Sequence, residues 1–383
     1  MRSRFVLTLV GFLSVISSCG KPKSSSKGSD SQLQEAWNSA NVPTNFEGVT
    51  TSKFFDLPLA GKLTKTPWTD TYWPSYRGGI ASRWNDPSVT TTEGHHTYAL
   101  LTKEKALTLS GTELRKLSPA EKYDLFSGRY DFPTVARERQ RVSPEDPTWT
   151  GICHGWAPAA INFNEPKEIT LSNPDGIAVP FGSSDVKALL SYYEGEISNT
   201  PSRSLSKRCN FDFKTNPDAK MKPECRDTNA GTFHLALTNL IGLKNQGFVA
   251  DLTRDMEVWN QPIHTYESRI EAIQGPSANA AAGTNYEVVV TTLMTYTVEI
   301  NPTWLPVLGT SGHANRTATY HYRLELSSAD EIIGGVWLDE TLHPSLNADR
   351  PDFLWTEEQP DFSEEYKDLK SIATASGALP LVP

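Results

Sequence analysis

The chain has 383 residues and a formal net charge of −9, with 21% charged residues and no Lys/Arg cluster following one element, a balance that argues against a nucleic-acid partner. Its 38% apolar residues and ten Trp are enough to bury a large core, as one big domain or two fused lobes. No internal repeat divides it.

Met1-Arg2-Ser3-Arg4, an apolar run from Phe5 to Ile16 and the small residues Ser17-Ser18 before Cys19 have the order of a signal peptide. The run is shorter than the ~20 residues that a membrane-spanning helix needs. A cysteine at the cut resembles a lipobox, so the expectation is an exported, bacterial-type lipoprotein. It would be acylated at Cys19 and held at the membrane of the cell envelope, on the outer membrane or cell surface. Residues 1–19 are then signal and lipid site, and 20–45 a polar flexible tether. The folded body occupies 46–360, and 361–383 is a C-terminal tail.

Trp68 to Trp84 is crowded with aromatics and glycines but aperiodic, and reads as an irregular segment packed on the core. Ser118-Pro119-Ala120-Glu121 combines a cap, a proline at the first helical position and a glutamate at the third. It predicts a helix from Pro119 to about Phe126, stopping before Gly128. In Gly151-Ile152-Cys153-His154-Gly155-Trp156-Ala157-Pro158-Ala159-Ala160-Ile161, the Ala-rich stretch predicts a helix with Cys153 at or just before its start. Ser183-Ser184-Asp185 caps a helix from Val186 to Tyr193. Gly231 to Gly242 reads as a buried helix, although so short an apolar run does not exclude a strand, and Phe248 to Leu252 reads as a strand. Tyr286 to Ile300 and Thr319 to Leu338 are β-rich, the second broken by Ser327 to Asp330 into a hairpin. Helices first and antiparallel strands later predict an α+β fold.

With Cys19 assigned to lipid, three cysteines remain. Cys209 and Cys225 bracket a polar loop with little else to order it and are expected to form a disulfide, worth about 3 kcal/mol in the chain-entropy model. Cys153 is left as a free thiol. At a helix start it has the placement that stabilises a thiolate and aims N–H groups at a carbonyl under attack.

Nucleophilic acyl transfer also needs a base and a group that orients it. His154 adjoins the cysteine and diverges from it; His95, His96 and His313 lie in polar loops; His264 is in an extended segment, and His343 precedes a proline at a turn. His321 sits on a strand, on the face shared with Arg323 and Glu325, which alternation predicts to be solvated. His234 opens an apolar segment and Asp251 closes another, positions where a polar side chain is either satisfied in the core or functional. Pairing the two accounts for both.

Val258-Trp259-Asn260-Gln261-Pro262 resembles the core of the peptide elicitor carried by the transglutaminase elicitors of oomycete plant pathogens, and the segment around Cys153 is similar to that of the family's nucleophile. Gly128 to Pro133, Phe233 to Leu237, Ile333 to Trp337 and Pro351 to Trp355 are similar too, in the same order. The resemblance implies a papain-like, transglutaminase-like α+β fold, with the nucleophile helix in an N-terminal helical part and an antiparallel sheet after it. It implies a protein-glutamine γ-glutamyltransferase in which Cys153 forms a thioester that a lysine amine resolves, so the partners are proteins bearing Gln and Lys. Cys153 matches the nucleophile, while His234 and Asp251 fall in matching segments as base and orienter. Calcium is implied by the resemblance alone, since no EF-hand-like spacing is present. Trp259 and Asn260 either end a buried strand or enter the site. Trp156 either walls the acyl-donor pocket or packs beneath the helix. The departure at Ile263-His264-Thr265 removes the expectation of plant recognition. The same centre giving its thioester to water would be a cysteine peptidase or deamidase, and a degenerate fold would leave a non-catalytic surface lipoprotein.

Overall fold

The computed structural model describes residues 37–213, 215–222, 225, 228–253, 256–338 and 350–379. The calls on Cys19, the signal segment and His343 lie outside them. Helices dominate the first half: α1 (Thr92–Thr97), α2 (Lys103–Ala106), α3 (Gly111–Leu114), α4 (Pro119–Phe126), α5 (Pro133–Arg141), α6 (Cys153–Asn162) and α7 (Ser183–Tyr192), with α8 (Ala230–Ala236) and α9 (Lys367–Ala375) after them. The strands are β1 (Ala60–Lys62), β2 (Ile169–Ser172), β3 (Ala178–Phe181), β4 (Ser202–Leu205), β5 (Phe248–Asp251), β6 (Asn260–Gln274), β7 (Tyr286–Thr297), β8 (Asn315–Leu326), β9 (Ile332–Trp337) and β10 (Leu354–Glu357). The architecture is α+β.

Helix α4 begins as its sequence dictates: Ser118 Oγ accepts from Glu121 N–H at 3.1 Å, and the Glu121 carboxylate accepts from Ser118 N–H at 3.0 Å. Helix α7 starts three residues earlier than expected, at Ser183, with Gly182 as its cap, whose N–H donates to Asp185 at 2.7 Å. Asp185 also accepts from Lys122 Nζ at 2.6 Å and Trp84 Nε1 at 2.9 Å. A fully buried ion pair with its remaining lone pairs filled in this way ties α4 to α7.

The large sheet is antiparallel throughout its described pairings, in the order β4-β10-β5-β6-β7-β8-β9, with β1 on the same edge of β6 as β5. Its two faces carry different cores, and alternation assigns them. Phe248 and Ala250 of β5 pack with Phe233 and Leu237, while Val249 between them packs with Trp156 and Ala157 of α6. Leu354 and Trp355 of β10 divide in the same way. The sheet therefore separates α6 and α7 on one face from α8 on the other.

Three expectations change here. The face of β8 bearing His321, Arg323 and Glu325 is not solvated: the β6–β7 connection folds over it, with Ala281 N–H donating to Glu325 at 3.1 Å and Arg323 donating to Ser277 Oγ at 3.0 Å. The C-terminal segment is not a loose tail, because α9 buries Leu369, Ile372 and Ala373 in the α6–α7 core. Within the expected tether, Asn41 is buried and accepts from Asn229 N–H at 2.8 Å.

Candidate active site

Helix α6 presents its first residue, Cys153, into a cleft of about 830 Å³. The chain can bring α6 this close to its neighbour because Gly155 lacks a side chain: a Cβ there would lie 2.0 Å from Ser191 O of α7. Gly155 and Trp156 N–H groups close onto Ile152 O at 2.9 and 2.8 Å, and Ile152 supplies no side-chain cap. The N–H groups of Cys153 and His154 are thus left at the open helix end.

Cys153 Sγ accepts from Asn260 Nδ2 at 3.5 Å and lies 3.5 Å from Val258 O. Asn260 opens β6, and its amide is held in place by Trp355 Nε1, which donates to Asn260 Oδ1 at 2.9 Å. Directly across the ladder from Asn260 stands Asp251, the last residue of β5. Its Oδ1 accepts from Trp259 N–H at 3.2 Å and from Thr253 N–H and Oγ1 at 3.3 Å, clamping the turn that delivers Asn260. Its buried Oδ2 has no hydrogen-bond partner among the described residues.

The helix start does not lower the thiol. Burial pushes Cys153 up to about 11, with hydrogen bonds from Asn260 opposing and the Glu299 and Asp251 carboxyls adding to the rise. Burial likewise raises Asp251 to about 7, against the hydrogen bonds it accepts. At neutral pH the resting sulfur is a protonated, 5% exposed thiol that needs a proton acceptor before it can attack.

His234 is not that acceptor, because α8 lies across the sheet. Alternation gives Asp251 the face of Val249 and α6, whereas His234 belongs to the core of Phe233 and Leu235. Its Nδ1 meets Tyr322 Oη at 2.8 Å and its ring stacks on Phe54. Tyr322 stands opposite Val290, and Val290 opposite Ile270, ten residues along β6 from Asn260, a span of roughly 30 Å at the rise of a strand. The expected pairing of His234 with Asp251 is therefore not formed. Burial lowers His234 to about 3, so it stays neutral as a core residue. We expect His234→Ala to lose about 2–4 kcal/mol of stability, as a large buried side chain does on truncation, while the rate per folded molecule stays within about twofold. Urea unfolding beside amine-incorporation rates checks this, and a rate loss above tenfold at unchanged stability would return His234 to the chemistry.

Three further histidines are engaged away from the thiol. His264 bonds Thr265 Oγ1 and Asn315 Oδ1 at 3.0 and 3.2 Å, and His95 bonds Ser82 Oγ at 3.0 Å. His154 lines the cleft, but its Nε2 faces Glu196 at 3.3 Å.

The expected substrate-binding residues divide. Asn260 is at the sulfur. Trp259 packs edge-on to Tyr72 and donates Nε1 to Glu257 at 3.2 Å. Trp156 is fully buried in the core beneath α6 and does not line the cleft. Trp149 and Trp355 are the indoles that line the cleft, and sequence reasoning assigned neither; the only signal for Trp355 there was membership of a family-like segment. Cys209 and Cys225 form the expected disulfide, and Cys153 is free. For calcium, no group of three or more His, Cys, Asp or Glu converges as a ligand set among the described residues, so no step below passes through a metal.

The crystal structure of the GP42 transglutaminase from Phytophthora sojae is similar in fold, with a TM-score of 0.64 and 23% identity over 90% of this chain and 99% of that one. No match is found among curated proteins. The expected bacterial, lipid-anchored envelope protein is corrected by these findings, since the similar structure comes from an oomycete. No helix among the described residues is long and apolar enough to cross a membrane. The family model for the transglutaminase elicitor matches residues 40–367, most of the length, and the chain belongs to that family.

Proposed function

We propose that the chain is a protein-glutamine acyltransferase that works through a thioester on Cys153. The observation that carries this reading is a single free thiol at the open end of α6, in a large cleft, touching an asparagine amide that an indole holds in place. The sulfur attacks the side-chain carbonyl of a glutamine, its proton passes to Asp251 on the same face of the sheet, and Asp251 hands that proton to the amide nitrogen, which departs as ammonia when the C–N bond breaks. A lysine amine then attacks the thioester and releases an isopeptide-linked product, restoring the thiol. The oxyanion formed in each half-reaction is met by the N–H of Cys153 and by Asn260 Nδ2, donors already fixed in the resting site. Proteins bearing Gln and Lys are the substrates in this reading.

The test is incorporation of a labelled primary amine into a glutamine-bearing protein, with ammonia and peptide cleavage measured in the same samples. Amine incorporation with stoichiometric ammonia supports transfer. Ammonia without incorporation, or cleavage, moves the assignment to a deamidase or peptidase. Asn260→Ala removes a donor from the oxyanion and is expected to lower the rate by about 10²-fold or more. A wild-type rate in that variant would exclude Asn260 from the site.

A further inference from the structure

One end of the cleft is acidic and lacks a counter-ion. Glu194 and Glu357 both line it, and Glu194 is 3% exposed. Glu194 Oε1 accepts from Asn162 Nδ2 at 2.9 Å, while its buried Oε2 meets no donor of another residue type among the described residues; the polar group facing it is the Glu357 carboxyl, with which it shares a proton in a carboxyl–carboxylate hydrogen bond. Neither residue has an ion pair among the described residues. Glu196, two positions on, differs in this respect: it pairs with Arg141 at 3.5 Å and with His154 at 3.3 Å. A carboxylate buried without a cation is costly, and two together are costlier still. Burial and mutual repulsion accordingly raise Glu194 to about 9, and burial raises Glu357 to about 7.

We propose that Glu194 and Glu357 form a subsite for the cationic side chain of a lysine or arginine in a polypeptide substrate, set beside the reacting residue. The position follows from the elements. Asn162, which touches Glu194, is nine residues from Cys153 along α6, about 13 Å, and Glu357 is two residues beyond Trp355 on β10, about 7 Å. The pair therefore sits on the order of 10 Å from the sulfur, too far to hold the attacking amine itself and the right distance for a side chain two or three residues along an extended peptide. The wall of the cleft between them offers Phe353, just before β10, and the β10 side chains Trp355 and Glu357, a surface suited to such a peptide. A divalent metal is the weaker fit, since no third His, Cys, Asp or Glu joins these two carboxyls as a ligand set among the described residues and calcium takes six to eight oxygens.

The proposal rests on reading the cleft as a polypeptide site, and its test is a binding measurement that needs no turnover. Calorimetry on the full chain carrying Cys153→Ala would use blocked peptides of equal length, with Lys, Arg, norleucine or Glu placed two residues from a glutamine. Lys and Arg peptides are expected to bind at least tenfold tighter than norleucine. Glu194→Gln and Glu357→Gln should each erase that preference while leaving norleucine binding unchanged. The half-exposed Glu357 provides the second variant should the buried one fold poorly. Equal affinity for lysine and norleucine peptides, or a preference that survives both substitutions, overturns the subsite, and so does calcium binding at the pair that lysine peptides fail to displace. A wild-type protein that binds lysine peptides with this preference yet incorporates no amine would leave the subsite standing and remove the acyltransfer reading instead.

Discussion

Cys153→Ala is expected to reduce amine incorporation to background, a loss of at least ~10⁴-fold, with the fold retained. No other free thiol exists among the described residues, so nothing can substitute for the sulfur in forming the thioester. The structural cost is small because one heavy atom is removed. Asn260 Nδ2 loses a long 3.5 Å acceptor but keeps its place through Trp355, and about 1 kcal/mol covers the change. Thermal unfolding within a few degrees of wild type, together with background activity, is the result that upholds the mechanism. Turnover at a tenth of wild type or better ends it. The raised thiol adds a second reading on the wild-type protein: alkylation of Cys153 should be slow at pH 7 and accelerate up to about pH 11, the reverse of a pre-formed thiolate.

That raised thiol marks where sequence reasoning reaches its limit. The residues of α6 give the helix and its start, and Ser118 to Glu121 spell out a capping box that the structure contains residue by residue. The turn Ser327 to Asp330 between β8 and β9, and the pairing of Cys209 with Cys225, are likewise legible, because each depends on local chemistry. The site itself is not local. It joins the start of α6, the first residue of β6 and the middle of the four-residue β10, and β10 is too short to announce itself by alternation. A helix start in isolation favours a thiolate, but the start of β6 packs against Cys153 and buries it, and desolvation exceeds what two hydrogen bonds from Asn260 return. His234 fails for a related reason. Its apolar surroundings correctly signal burial, yet a one-dimensional pattern does not say which face of the sheet a helix will cover. Only the alternation of Val249 and Ala250 into separate cores decides that His234 and Cys153 are on opposite sides.

Asp251→Asn is the variant with the next largest expected effect, and it carries two signatures of opposite sign. As the acceptor of the thiol proton, Asp251 should account for about 10²–10⁴ of the rate, the scale of a general base. The active form is the carboxylate, so wild-type activity should fall as pH drops below about 7, and that acid limb should vanish from the residual activity of the variant. Stability moves the other way. The folded-state value of Asp251 is raised from 3.8 to about 7 by burial, so the folded protein holds a proton that the unfolded chain releases. Its contribution is full below about pH 4 and is lost as pH rises toward 7, a shift worth on the order of 4 kcal/mol. Asparagine keeps an oxygen for Trp259 and Thr253 and carries no charge at any pH. The variant should therefore match wild type in stability near pH 4 and exceed it at pH 8, by urea midpoints at the two pH values. Loss of rate with gain of stability at pH 8 is the outcome expected of a residue held in a strained ionisation state for its chemistry. Loss of both would make Asp251 only the clamp of the turn before Asn260. An unchanged rate with the acid limb intact would move the proton acceptor to another group on the Cys153 face, with His154 the first to replace.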